Sequence, residues 1–157
     1  MTVLSNNKKI LIFIPAYNVE KKIYSVVSKI PNSIFEDNEI ILLIINDFSN
    51  DKTNLEIDRI KNDFNYNIEV FSSNKNLGYG GVQKYAFNFA IKNSFDFVIM
   101  LHGDGQYLPE KLPDFIERFE DKNIDAVFGS RMKSYSSALK GGMPIYKFLG
   151  NIGLTFV

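Results

Sequence analysis

The chain has 157 residues, enough for one domain with its own core, and 45% of them are hydrophobic, which excludes an intrinsically disordered segment. Eighteen Lys and Arg balance eighteen Asp and Glu, so no overall field draws the chain to nucleic acid or an anionic membrane, and any anion has to be held locally. Without cysteine there is neither a disulfide nor a thiolate metal site, a composition compatible with the cytosol.

Residues 1–9 are polar, lack the apolar stretch of a secretory signal, and read as a loose leader with no indication of export. The first strand is expected over residues 10–14 and the first helix over 19–30, where Ile23, Val26, Val27 and Ile30 share a face behind Asn18 as N-cap. Residues 39–45 predict a strand buried on both faces. Its apolar run, residues 40–45, is far short of the ~20 that a membrane-spanning helix needs. Asn50 then caps a weaker helix running to about Lys61. A third strand over 67–71 leads through a glycine-rich loop to a helix with Val82, Tyr85, Ala86, Phe89 and Ala90 at helical spacing. The fourth strand covers 95–101, Pro109 opens a helix that turns Leu112, Phe115, Ile116 and Phe119 inward, and 124–129 reads as a fifth strand. This β-α alternation predicts an α/β fold with a parallel sheet between helices and ligands outside the carboxyl ends of the strands. From Met132 the pattern changes. Ile145, Leu149, Ile152 and Phe156 are placed to share a helix face, and with no later element to cover that face the chain reads as truncated at Val157.

The chemistry collects in the loops that follow the strands. His102-Gly103-Asp104-Gly105-Gln106 brings a carboxylate and an amide carbonyl, both hard donors for Mg²⁺ or Mn²⁺, into a turn whose glycines admit a ligand close to the backbone. The same residues would also serve as a turn and helix cap. Pro15-Ala16-Tyr17-Asn18 offers a ring that can stack a base, or is a strand-to-helix turn. Asp47 can accept from a nucleobase N–H or a ribose hydroxyl, with Asn50 and Asp51 left for capping; capping by the whole segment is the alternative. The stretch from Asn74 to Gly81 supplies backbone N–H groups and glycines without matching a P-loop or a Rossmann fingerprint. Arg131, after Gly129-Ser130, carries a permanent charge suited to diphosphate oxygens or to a surface salt bridge. A parallel sheet gathers all these loops along one edge, which makes coincidence a poor explanation.

The motifs Ile14-Pro15-Ala16-Tyr17-Asn18, Asn46-Asp47-Phe48-Ser49-Asn50-Asp51-Lys52-Thr53, Asn76-Leu77-Gly78-Tyr79-Gly80, His102-Gly103-Asp104-Gly105-Gln106 and Gly129-Ser130-Arg131 resemble, in that order, those of the inverting family 2 glycosyltransferases. The resemblance is strongest to the polyprenyl- or dolichyl-phosphate sugar synthase-like branch and implies the GT-A fold, a Rossmann-like three-layer α/β/α arrangement with a mainly parallel central sheet. It places a nucleotide-sugar-binding core at residues 10–131 and the start of an acceptor-side region at 132–157. It implies that Pro15, Tyr17 and Asp47 contact the nucleoside, with Ala16, Asn76, Gly78 and Gly103 around the donor. Asp104 and Gln106, with His102 as a further candidate, would hold a divalent metal on the diphosphate, and Arg131 would contact donor phosphate. Asp104 and Arg131 are thus the residues expected to stabilise the leaving group; no general base is identified. The implied partners are a UDP- or GDP-sugar and a lipid phosphate or glycan acceptor, in the cytoplasm or at the inner face of the membrane. Three positions depart from the family pattern: Asn46 replaces the leading Asp of an Asp-Asp pair, His102 the first Asp of a DxD-type motif, and Val19 a Glu, with Glu20 one residue out of register. The early ending and the departures at Asn46 and His102 favour the alternative, a nucleotide-binding fragment or regulatory module without turnover. A nucleotidyltransferase is disfavoured because its phosphate loop near the first strand is missing.

Overall fold

The structure, a computed structural model, describes residues 8–121, 123–130, 145–146 and 150–152. The chain divides into two compact units, Met1–Glu120 and Asp121–Val157. In the first unit the elements run β1 (Lys9–Ala16), α1 (Ile23–Ser28), α2 (Ile34–Asp37), β2 (Glu39–Asn46), α3 (Thr53–Asp63), β3 (Ile68–Ser72), α4 (Gly78–Lys92), β4 (Phe97–Met100), a 3-10 turn (Pro109–Lys111) and α5 (Leu112–Arg118).

All strand pairs are parallel, in the order β3-β2-β1-β4. Alternation along β1 sorts its side chains between two cores. Ile10, Ile12 and Ile14 pack with Ile23, Val26 and Val27 of α1, Ile57 and Ile60 of α3 and Leu112 of α5, whereas Leu11 and Phe13 meet Val82, Ala86 and Ala90 of α4. A strand covered on both faces must be apolar at every position, which is why KILIF and IILLII are nearly unbroken. The three-layer expectation holds, and the layers are uneven: among the described residues α4 alone covers one face.

The strand order reverses between β1 and β4. The connections out to β2 and β3 pass through α1, α2 and α3, and α4 returns the chain from β3 across the opposite face to β4. Such a reversal leaves a crevice at the carboxyl ends of the two diverging strands. Pro15 marks the divergence. The Phe13 carbonyl accepts from Leu101 N on the β4 side at 3.0 Å, so Pro15, two residues on, faces the same side past the last β1-β4 pair, where a missing N–H costs no ladder bond.

Several expectations are corrected. Residues 124–129 form no strand; the sheet of the described residues has four strands, and Phe128 is 90% exposed. An apolar run becomes a strand only through a partner's ladder, which periodicity does not supply. The first helix starts at Ile23, and its predicted cap Asn18 lies in the left-handed region at φ 53°. The Val19 carbonyl accepts from Lys22 N and Ile23 N, so residues 20–22 make a turn before the helix. The third helix starts at Thr53, with Asp51 rather than Asn50 bonded to the Thr53 N–H at 3.0 Å. The short α2 had no periodic signal. The glycine-rich loop is shorter than expected, since Gly80 and Gly81 lie in the first turn of α4, and Pro109 opens a 3-10 turn ahead of α5. In the second unit residues 145–146 and 150–152 are helical, with Ile145 and Tyr146 exposed; Leu149 and Phe156 of the expected helix face lie outside the described residues.

Candidate functional site

The crevice at the β1-β4 divergence is a cleft of about 410 Å³. Its lining includes Pro15, Ala16, Tyr17, Asp47, Asn76, Gly78, His102, Gly103 and Asp104, drawn from the end of β1, the start of α4 and the loops after the four strands, segments that sequence alone assigned to one site. Val19, Tyr79 and Val82 line it as well and were not anticipated as site residues. Val82 was read as core from its helical spacing, and Tyr79 lay inside the Asn76–Gly80 motif without a role. The signal for Tyr79 was an aromatic residue flanked by glycines at a helix start.

Asp47 is 5% exposed and follows β2 directly, its N–H extending the ladder to the Ala16 carbonyl at 2.9 Å. One carboxylate oxygen accepts from Leu77 N at 2.6 Å and the other from Gly78 N at 3.0 Å, so Asp47 caps α4. A carboxylate here meets amides that have no partner within the helix and the positive end of the helix dipole, which offset the cost of burying it. Gly78 adopts φ 68°, which lets its N–H reach both Asp47 and the Asn76 Oδ1 atom at 2.9 Å. The sequence left Asp47 divided between ligand contact and capping. The fold gives it the cap and also puts it in the cleft wall.

The buried departure Asn46 is structural: its Oδ1 accepts from Ser49 N at 3.1 Å and its Nδ2 donates to Asn54 Oδ1 at 2.5 Å. An Asp could not supply that second donor. Phe48, half exposed in the same loop, sits at φ 64°, a conformation costly for a bulky side chain and held by these surrounding bonds.

On the other side of the cleft, Gly103 is buried against the end of β1. A Cβ there would lie 3.0 Å from the Pro15 carbonyl oxygen and 3.3 Å from Ile14 Cγ2, so a side chain would force the end of β1 or the loop after β4 to give way. Asp104 is partly exposed and accepts from Gln106 N at 3.0 Å and Gln106 Nε2 at 2.7 Å. The Gln106 amide thus faces Asp104 with its nitrogen; Gln106 is outside the lining of the cleft. The His102 ring lies between Tyr79 and Tyr107, with centroids 5.8 and 4.9 Å away, and its Nε2 is 3.4 Å from the Tyr79 hydroxyl. Arg131 is outside the described residues.

Among the described residues no three His, Cys, Asp or Glu side chains cluster to hold a metal unaided. The donor set fits a Mg²⁺ or Mn²⁺ ion that takes one or two carboxylates from protein and the rest from phosphate and water, with Asp104 as the exposed hard donor. No helix among the described residues is long and apolar enough to cross a membrane.

The chain is similar to the UDP-N-acetylglucosamine–dolichyl-phosphate N-acetylglucosaminyltransferase of Methanococcus voltae, at 29% identity over 96% of this chain and 62% of that protein. An uncharacterized protein of Methanocaldococcus jannaschii is 29% identical over 75% of this chain and 50% of its own length. The chain therefore spans about half to three fifths of these relatives. Among solved structures, a mannosyltransferase from Pyrobaculum calidifontis, in complex with GDP-Man and Mn²⁺, superposes with a TM-score of 0.61 at 14% identity, covering 83% of this chain and 38% of that one. S. aureus TarS 1-349, in complex with UDP-GlcNAc, gives 0.57 at 21% identity, covering 80% and 38%. These likenesses establish the GT-A fold. The family model for glycosyl transferase family 2 matches residues 11–151, and the chain belongs to that family.

Proposed function

We propose that the cleft binds a nucleoside-diphosphate sugar, UDP- or GDP-linked, and that the sugar passes with inversion to an acceptor, a polyprenyl phosphate being the best fit. The observation that carries this reading is the convergence of Tyr17, Asp47 and Asp104, far apart in sequence, on one cleft of about 410 Å³ at the β1-β4 divergence. Tyr17, 52% exposed, offers a face for a base, and the loops bearing Asp47 and Asn76 offer polar groups for its edge and the ribose. The M. voltae and P. calidifontis proteins support the class of acceptor and donor by name.

Asp104, with Gln106 and His102 beside it, would hold a divalent cation on the diphosphate. That ion, when bound, neutralises charge on the departing nucleoside diphosphate. Gln106 would have to turn its carbonyl toward the ion, releasing Asp104 Oδ2 as it does so. Arg131 would contact donor phosphate, adding a fixed positive charge where negative charge develops. A phosphate acceptor is already an anion and attacks without a general base, in keeping with a reading that assigns none. The site of action would be the cytoplasm or the inner membrane face, where a lipid phosphate presents its headgroup.

Calorimetry with UDP and with GDP, each with and without Mn²⁺, tests the reading. Binding is expected to require Mn²⁺ and to lose that dependence in Asp104→Ala; equal affinity without metal would overturn it. Sugar transfer from the bound donor separates an enzyme from a binding module.

A further inference from the structure

The loops after β1 and β2, which carry Tyr17 and Asp47, are joined by hydrogen bonds that run both ways between them. Asn18 N donates to Ser49 Oγ at 3.0 Å, and Asn50 N donates to Asn18 Oδ1 at 3.0 Å. Val19 N donates to Thr53 Oγ1 at 2.9 Å, Glu20 N to Asp51 Oδ2 at 3.1 Å, and Lys52 N to Glu20 Oε2 at 2.8 Å. Amides ahead of a helix are usually capped by the nearest side chain in sequence. Here each loop caps the other: side chains of Ser49, Asp51 and Thr53 take the N–H groups of residues 18–20, and side chains of Asn18 and Glu20 take those of residues 50 and 52. Moving one loop therefore uncaps both.

Glu20 is absent from the lining of the donor cleft, as is Asn18; both line a second cavity that touches the first at Val19 and Asp104. Their amide and carboxylate instead accept from Asn50 N and Lys52 N of the loop after β2. Asn18 adopts its left-handed φ of 53° so that its side chain and N–H both face that loop, a conformation that asparagine tolerates better than most residues.

We propose that Glu20 and Asn18 are positioning residues that, by exchanging caps with residues 49–53, fix the separation of Tyr17 and Asp47, so the nucleoside half of the cleft is preformed. The proposal rests on the nucleotide-sugar reading above. Without the exchanged caps the loops would have to be ordered by the ligand, and that ordering would be subtracted from affinity.

The test combines two measurements on the full chain. Amide hydrogen exchange without ligand reads the clasp itself, and calorimetry with UDP and with GDP in the presence of Mn²⁺ reads its effect on the cleft. Glu20→Ala is expected to speed exchange at Lys52 and to weaken nucleotide binding about fivefold, the scale of one net hydrogen bond. Glu20→Gln keeps an oxygen acceptor for Lys52 N and is expected to restore both readouts. Asn18→Gly keeps the backbone conformation, removes the acceptor for Asn50 N, and carries the same expectation at Asn50 should Glu20→Ala fail to fold. Faster exchange at Lys52 with unchanged nucleotide affinity would overturn the proposal and leave the nucleotide reading standing. Exchange at Lys52 that responds to Glu20→Ala in a protein whose wild type binds neither nucleotide would overturn the nucleotide reading and reduce the clasp to a brace.

Discussion

The two carboxylates of the cleft are held in opposite ways. Asp47 is buried, and its oxygens are bound by backbone amides thirty residues away at the start of α4, in a loop that is itself clasped to the loop after β1. Asp104 is partly exposed, and the bonds to its carboxylate come from Gln106, two residues on and itself exposed. A carboxylate tied by long-range backbone bonds is fixed in place. One tied to an exposed side chain in its own turn can exchange that partner for a cation without disturbing the fold. The difference separates a rigid wall, at Asp47, from an adaptable ligand, at Asp104.

The comparison can be broken most severely where the two sides touch. Gly103→Val would drive a branched side chain into the Pro15 carbonyl, already 3.0 Å from a bare Cβ, and is expected to cost about 2–3 kcal/mol of stability and to abolish nucleotide binding. Chemical denaturation and calorimetry on the same protein check both parts. A smaller effect is expected from Asp104→Asn, which keeps an acceptor for Gln106 N but drops the charge. Its Mn²⁺-dependent nucleotide affinity should fall about 100-fold with the denaturation midpoint unchanged, as an exchangeable ligand requires. Asp47→Ala should lower stability as well as nucleotide affinity. It leaves Leu77 N without its partner and removes the cap of a 15-residue helix, for an expected loss of about 2 kcal/mol in denaturant, whether or not nucleotide is present.

The smallest effect concerns the clasp and pH. Burial alone would raise the Asp51 carboxyl, but hydrogen bonds from the Thr53 hydroxyl, Thr53 N and Glu20 N outweigh it and hold the group below the usual carboxylate range. A depressed folded value means that Asp51 stabilises the protein above its unfolded pKa of about 4, and that this contribution fades as pH falls through the folded value. Melting temperature should therefore drop more steeply below about pH 4 in wild type than in Asp51→Asn, with parallel curves at neutral pH.

How much of this was legible depended on how far apart the deciding residues lie. β1, β2 and α4 could be read directly, because a strand covered on both faces writes a continuous apolar run and a one-sided helix writes a 3.6 period. The loops of the site were readable because the β-α order sends every strand's carboxyl end to the same edge. The capping assignments at Asn18 and Asn50 failed for different reasons, since the α3 cap passed to Asp51, one residue beyond Asn50, whereas Asn18 was drawn to another loop. Asparagine before a helical period is a good local cap, but the Oδ1 of Asn18 accepts from Asn50 N in the loop after β2, a partner that no local window of sequence contains. The fifth strand failed similarly, since 124–129 has strand composition and a strand needs a neighbour.

The sequence by itself determined the α/β class, the family and the residues that gather at the strand ends, because periodicity and motif order are local properties of the chain. Tertiary structure alone decided that Asp47 caps α4, that a side chain at Gly103 would crowd the Pro15 carbonyl, that Asn46 replaces an acid by donating to Asn54, and that Glu20, out of register in the motif, caps the neighbouring loop. Each of these depends on the distance between atoms remote in sequence, and that distance exists only once β1 lies between β2 and β4.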